Sequence, residues 1–249
     1  MSEFNPFTLQ GKIILVTGAS SGIGQAIAIA CSKMGANVIA NGRNLQKLET
    51  TMAAMEGMGN IQIPADLTNP DEIAKLIAQL PKLDGVVHCA GIGHRQPAKL
   101  LTASEIDKVM NTNFKATVLL QTELMKGKKL NKDGSVVFVA SVAPQMPSLG
   151  NAAYSASKAA IIGYAKCLAL ELAPRGIRVN CICPAMVWTE LIMQEGVGKE
   201  ELEQAQQKYP LKRYGQPGDV ANLAIYLLSN ASQWMTNSCI DITGGTNEL

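Results

Sequence analysis

Histidine is scarce in this 249-residue chain, which has only two. A metal site would therefore lean on the six cysteines, Cys31, Cys89, Cys167, Cys181, Cys183 and Cys239. Cys181 and Cys183 alternate along an apolar strand-like run, where such neighbours read as core, so no metal is expected. The chain also lacks a charge bias, with 22 basic residues against 20 acidic ones. No basic run marks a nucleic-acid or membrane footprint, and neither partner is expected. Long hydrophobic runs are missing too, which argues against a membrane span. Residues 1–10 are polar and carry no signal-peptide core. A cytoplasmic setting is expected, with the cysteines reduced and buried as small hydrophobes. Linkers, repeats and low-complexity segments are likewise absent, and one domain is expected.

What is present is alternation. Short apolar runs at residues 13–16, 37–40, 61–63, 85–88, 135–139, 179–182 and 239–242 read as strands. Between them, residues 23–34, 45–58, 70–80, 104–111, 114–125, 152–173 and 219–228 carry helical spacing or composition. Gly35 is placed as a helix stop, and Pro70 with Asp71 as a helix start. Strands alternating with helices imply a parallel sheet in an α/β domain covered on both faces. Such strands are apolar on both sides, as these are. Residues 184–213 show the weakest regular pattern, and a loop of that length suits a substrate cover, about residues 185–213.

The first strand runs into Thr17, Gly18, Ala19, Ser20, Ser21, Gly22, Ile23 and Gly24, after which a helix begins. Glycines there allow a sharp turn, and backbone N–H groups at a helix start attract a pyrophosphate. The spacing Gly-x3-Gly-x-Gly is not the commonest dinucleotide form, so its position in the strand–helix alternation carries the reading. After the second strand stand Asn41, Gly42, Arg43 and Asn44, where a carboxylate would select NAD. Arg43 suits a 2′-phosphate, so NADP(H) is favoured over NAD(H), although a helix-start cation is also commonly just solvated. Asp66 reads equally as an adenine contact or a cap.

Tyr154 and Lys158 stand at i and i+4 and share one helix face. An ammonium beside a phenol favours the phenolate, which suits general acid–base work. Such a pair alone is usually a solvated face. Ser141 ends the fifth strand, where open parallel sheets bind ligands, and reads either as a substrate contact or as a cap. Asn113 lies in a helical pattern that asparagine disfavours, and marks either a backbone bond of its own or a kink holding a water.

Residues 17–24, His88-Cys89-Ala90-Gly91, Asn113, Ser141 and Tyr154 to Lys158 resemble the motifs of the short-chain dehydrogenase/reductase family, in order and spacing, over nearly the whole chain. The chain also resembles the family's 3-oxoacyl-acyl-carrier-protein reductase-like members. The resemblance implies a doubly wound Rossmann fold, a seven-stranded parallel sheet and a homotetramer or homodimer. It also implies NAD(P)-dependent interconversion of a ketone and a secondary alcohol, with a small carbonyl or alcohol as substrate. Tyr154 is implied to be the general acid or base and Lys158 to hold the nicotinamide ribose. Ser141 is implied to position the carbonyl, and Asn113 to hold a water leading to Lys158. Cofactor contacts are implied at Gly18, Ser20, Ser21, Gly22, Ile23, Gly24, Arg43, Asn44, Asp66, Leu67, Cys89, Ala90, Gly91, Tyr154, Lys158, Pro184, Val187 and Thr189. Asn180 is expected to be structural. Two departures stand out. His88-Cys89 replaces the family's Asn-Asn, with His88 expected in the core, and Ala185 replaces a glycine after Pro184, where positive φ would be resisted. Met146, Leu149, Met186, Trp188, Leu191 and Met193 suggest an apolar pocket, and His94 and Arg95 could meet an anionic group such as a phosphopantetheine. 3-Oxoacyl thioesters, steroids, sugars and small ketones remain open as substrates. The competing reading is a catalytically silent dinucleotide sensor.

Overall fold

The computed structural model describes residues 4–193 and 198–246. In chain order the elements are β1 (Ile13–Val16), α1 (Gly22–Lys33), β2 (Asn37–Gly42), α2 (Leu45–Ala54), β3 (Ile61–Pro64), α3 (Pro70–Gln79) and β4 (Leu83–His88). Then follow α4 (Ala103–Met110), α5 (Ala116–Lys126), β5 (Leu130–Val139), α6 (Ala152–Leu172) and β6 (Arg178–Pro184). The last are α7 (Glu190–Met193), α8 (Lys199–Ala205), α9 (Pro217–Leu228) and β7 (Ser238–Ile242). The seven strands form one sheet in the order β3-β2-β1-β4-β5-β6-β7. Every pair is parallel. The order reverses at β1, which opens a crevice beyond the strand ends between β1 and β4.

Alternate residues on the strands feed two cores. Leu15, Val86, Val136, Phe138 and Cys181 pack with Leu76 of α3, Leu120 of α5 and Leu168 of α6. Ile14, Val38, Val87, Val137 and Ile182 face the other way, onto Ile27 of α1 and Ala224 of α9. Helix starts follow local chemistry. Asn69 accepts a bond from Asp71 N–H and Pro70 opens α3. Thr102 and Glu105 close a reciprocal capping box on α4.

Some boundaries differ from the sequence pattern. Helix α2 stops at Ala54, short of residue 58, because Met55 turns to extended backbone and Glu56 N–H bonds Ser32 Oγ. Strand β5 begins at Leu130, where a polar stretch hides a pairing of Leu83 with Leu130 across an irregularity. The expected irregular stretch 184–213 holds α7, α8 and a tight turn at Gln206–Lys208. It builds a small core of its own from Ile192, Leu202, Tyr209 and Tyr214. The expectation of six buried cysteines is corrected. All six are free, but Cys89 and Cys239 are partly exposed and Cys167 is exposed. Helix α6 is apolar nearly all round, so position on it says little about burial. No helix among the described residues is long and apolar enough to cross a membrane.

Candidate active site

A cavity of about 850 Å³ runs along the strand ends from the α1 loop to α6 and the 184–213 segment. Gly18, Ser20, Ser21, Gly22, Ile23 and Gly24 line one end, and Ser141, Tyr154, Lys158, Pro184, Val187 and Thr189 line the middle. Arg43, Asp66, Leu67, Cys89, Ala90 and Gly91 of the sequence-derived set also lie along its wall.

The loop after β1 fits a pyrophosphate. A Cβ at Gly24 would sit 2.2 Å from the Gly18 carbonyl oxygen. Gly18 has φ +67°, and a Cβ there would sit 2.9 Å from Ala90 backbone. Ser21, at the α1 N-cap, makes no side-chain cap bond, and the first turn carries no acid. The orphan amides of that turn thus keep their capacity for an anion. Thr17, which sequence reasoning left without a role, ties the loop down. Its Oγ1 accepts from Cys89 N–H at 3.0 Å and Ala90 N–H at 3.2 Å.

At the end of β2, Arg43 is largely exposed and lies 3.9 Å from the Asp66 carboxylate. Burial works to raise the Asp66 carboxyl, but bonds from Thr68 N–H and Oγ1, with Arg43 alongside, hold it below the usual range. Asp66 thus forms a turn with Thr68 while it lines the cavity, and Asn69 caps α3. Asn44 does not line the cavity. Its side-chain oxygen accepts from Lys47 N–H and caps α2.

The first turns of α6 are stitched to the end of β5. Lys158 Nζ donates to Val139 O at 2.9 Å. Ser155 Oγ donates to Ala143 O at 2.6 Å. Lys158 Nζ lies 5.6 Å from the Tyr154 ring centroid. Ser141 Oγ accepts from Ala143 N–H at 3.1 Å and reaches Pro184 O only at 3.5 Å. That donor bond is weak enough to be exchanged for a ligand oxygen.

Asn113 lies just behind the cavity wall, buried in a single π-helical turn, Asn111–Lys115, between α4 and α5. Its Nδ2 donates to Ile92 O and Ser157 Oγ, each at 3.0 Å, and its Oδ1 accepts from Ile92 N–H at 2.8 Å. The amide clamps the loop after β4 to α6. Gly91 leaves the room this needs, since a Cβ there would come within 3.2 Å of Asn113 Oδ1.

His88 is a core residue, bonded to Gln121 at 2.9 Å and stacked on Phe138. Burial pushes the Cys89 thiol up to about 12 despite the nearby Lys158 ammonium. Ala185 adopts no positive φ, so the missing glycine costs nothing there. Asn180 is structural, joining Met235 O and Ser238 N–H.

The expected pocket residues divide. Met186 and Leu191 line the cavity, as do Ile192, Leu202, Lys208, Tyr209 and Tyr214, which the sequence did not single out. Leu149 and Met193 are exposed, Met146 packs into the sheet core, and Trp188 packs on Tyr214. His94 faces Glu105 at 3.7 Å, while Arg95 lines the cavity.

A doubly wound sheet with a glycine loop at its crevice and a Tyr–Lys pair on the same cavity defines a dinucleotide-dependent oxidoreductase. A family model described as enoyl-(acyl carrier protein) reductase matches residues 18–247. The chain is 37% identical over 237 residues to a 3-oxoacyl-(acyl-carrier-protein) reductase FabG of Rickettsia felis, covering 95% of this chain and 97% of that one. It is 31% identical to the human dehydrogenase/reductase SDR family member 4, covering 96% and 88%. A short-chain type dehydrogenase/reductase from Mycobacterium marinum superposes with a TM-score of 0.89 at 31% identity, covering 97% and 98%. The chain belongs to the short-chain dehydrogenase/reductase family, oxidoreductases that interconvert CH–OH and carbonyl groups with a nicotinamide cofactor.

Proposed function

We propose that this protein is an NADP(H)-dependent reductase of 3-oxoacyl thioesters, working on the ketone and secondary-alcohol pair. The observation that carries the reading is the convergence of Ser141, Tyr154 and Lys158 on one cavity that also holds the α1 loop. The first-turn amides of α1 would hold the pyrophosphate, and Arg43 a 2′-phosphate. When bound, the nicotinamide supplies or accepts the hydride. Tyr154 gives its hydroxyl proton to the oxygen that becomes the alcohol, or takes it back in the reverse direction. Lys158 stands ready for a ribose hydroxyl, while its bond to Val139 O fixes its position. Ser141 donates to the substrate oxygen. The Asn113 amide is committed to Ile92 and Ser157, so its part is to hold this arrangement, and a relay water would rest on its main-chain carbonyl.

The relatives named as 3-oxoacyl reductases support the thioester substrate. So does the apolar outer wall of Met186, Leu191, Ile192 and Leu202, which suits an acyl chain. Self-association is supported by an exposed, mostly small and apolar α6 face of Ala152, Ala156, Ala159, Gly163, Cys167 and Leu170. Six free cysteines suit a reducing cytoplasm. No comparison favours a silent sensor.

The test follows NADPH oxidation with acetoacetyl-CoA. Tyr154→Phe should lower kcat on the order of 10²–10⁴-fold with NADPH affinity kept. Arg43→Ala should weaken NADPH binding and leave NADH binding unchanged. Full activity in Tyr154→Phe, or tighter binding of NADH by the wild type, would refute the reading.

A further inference from the structure

Three thiols outside the proposed machinery share one face of the sheet edge. Cys181 and Cys183 lie on β6, and Cys239 on β7, the outermost strand. Cys181 and Cys239 are direct register partners, whereas Cys183 pairs with Asp241. All three pack on the α6 side of the sheet. Neighbouring strands lie about 4.8 Å apart, inside the 4.4–6.8 Å Cα separation that a disulfide spans. The pair differs in access: Cys181 is 1% exposed, and Cys239 is partly open to solvent.

We propose that Cys239 is a peroxide-reactive thiol and that Cys181 resolves it, so that β6 and β7 become joined by a reversible disulfide.

The electrostatics are consistent with this division of labour. The adjacent Cys181 lowers the Cys239 pKa, with Lys166 of α6 helping and burial and Asp241 opposing. The same contact, with burial, raises Cys181 and keeps it protonated. Cys239 is also the sulfur that solvent reaches, so an oxidant meets it first, and it attacks as the thiolate. The Cys239 thiolate attacks one oxygen of a hydroperoxide, the O–O bond breaks, and hydroxide or alkoxide leaves. Cys239 becomes a sulfenic acid. The Cys181 sulfur then attacks the Cys239 sulfur, the S–OH bond breaks, and the Cys181 proton leaves with the hydroxide as water. The two thiols lose two electrons, and the peroxide takes them.

The exposed Cys167 would react independently, so the experiment uses the full chain carrying Cys167→Ser. Folded protein is treated with one equivalent of hydrogen peroxide, alkylated, digested and mapped by mass spectrometry. The expected product joins the peptides bearing residues 181 and 239, survives Cys183→Ser, disappears in Cys239→Ser and is reversed by dithiothreitol. Cys31, whose thiol burial pushes up to about 12, should stay unmodified. The proposal fails if Cys239 remains alkylatable after peroxide, if the link runs to Cys183, or if Cys239 accumulates as sulfinic acid beside a free Cys181. Neither result touches the reductase reading, because no thiol takes part in it.

Discussion

His88 shows what one side chain contributes. Its Nε2 meets Gln121, while Nδ1 is buried without a partner. Protonation would create a buried N–H with no acceptor, and burial pulls the imidazole down from 6.5 to about 4. The unfolded chain therefore takes up the proton first. Stability is complete above about pH 6.5 and is lost as the pH falls toward 4, by roughly 3 kcal/mol in all. Urea unfolding at pH 7 and pH 4.5 should show a smaller acid loss in His88→Asn than in the wild type. Equal losses would place the acid sensitivity elsewhere. At this scale the sequence pointed to Gly24, Ser141, Tyr154 and Lys158 only through their company, since each alone has a commoner local use, and the fold brings all four to one cavity. It was silent where one residue type has two uses. Asn44 and Asp66 both serve local turns, Asp66 also lines the cavity, and nothing in their spacing separates a cap from a ligand contact.

Among the elements, α9 ends in a way that its own residues do not explain. Its last turn carries no cation, yet its carbonyls are met by two from elsewhere. Arg178 donates to Leu227 O at 2.7 Å and Ser229 O at 3.2 Å. Lys12 Nζ donates to Leu228 O at 3.0 Å. Positive charge at the negative end of the helix offsets part of the cost of burying Arg178. Burial nonetheless lowers the Arg178 pKa. Arg178→Met should cost about 3 kcal/mol in urea unfolding, since buried carbonyls lose charged donors. A cost under about 1 kcal/mol would mean that water replaces the guanidinium. This cap spans strands far apart in sequence and was not legible there. Strand and helix order was legible, because the apolar runs and the α3 start signals are local. The extent of β5 was not, since Asn131 to Gly134 are polar and owe their place to a partner strand.

At the scale of the molecule, the open face of α6 carries small and apolar side chains into solvent. A Cβ at Gly163 would meet nothing within 4 Å, and Leu170 is 69% exposed. Ala159→Glu adds charge on that face without touching the monomer core. If this face carries the proposed self-association, the variant should run as a monomer by light scattering after size exclusion, while the circular dichroism spectrum stays unchanged. An unchanged mass would move the contact to another surface. The sequence marked α6 as apolar but could not say which side the sheet takes.

The position of β1 between β2 and β4 has a consequence for synthesis. Its pairing with β4 joins Ile14 to Gly85, so a nascent chain must extend past residue 88 before the crevice has two walls. Until then the β4 side of β1 is an open, apolar edge, and edges of that kind recruit other strands. A ribosome pausing between β3 and β4 would leave that edge open longest, and there a chaperone has the most to protect.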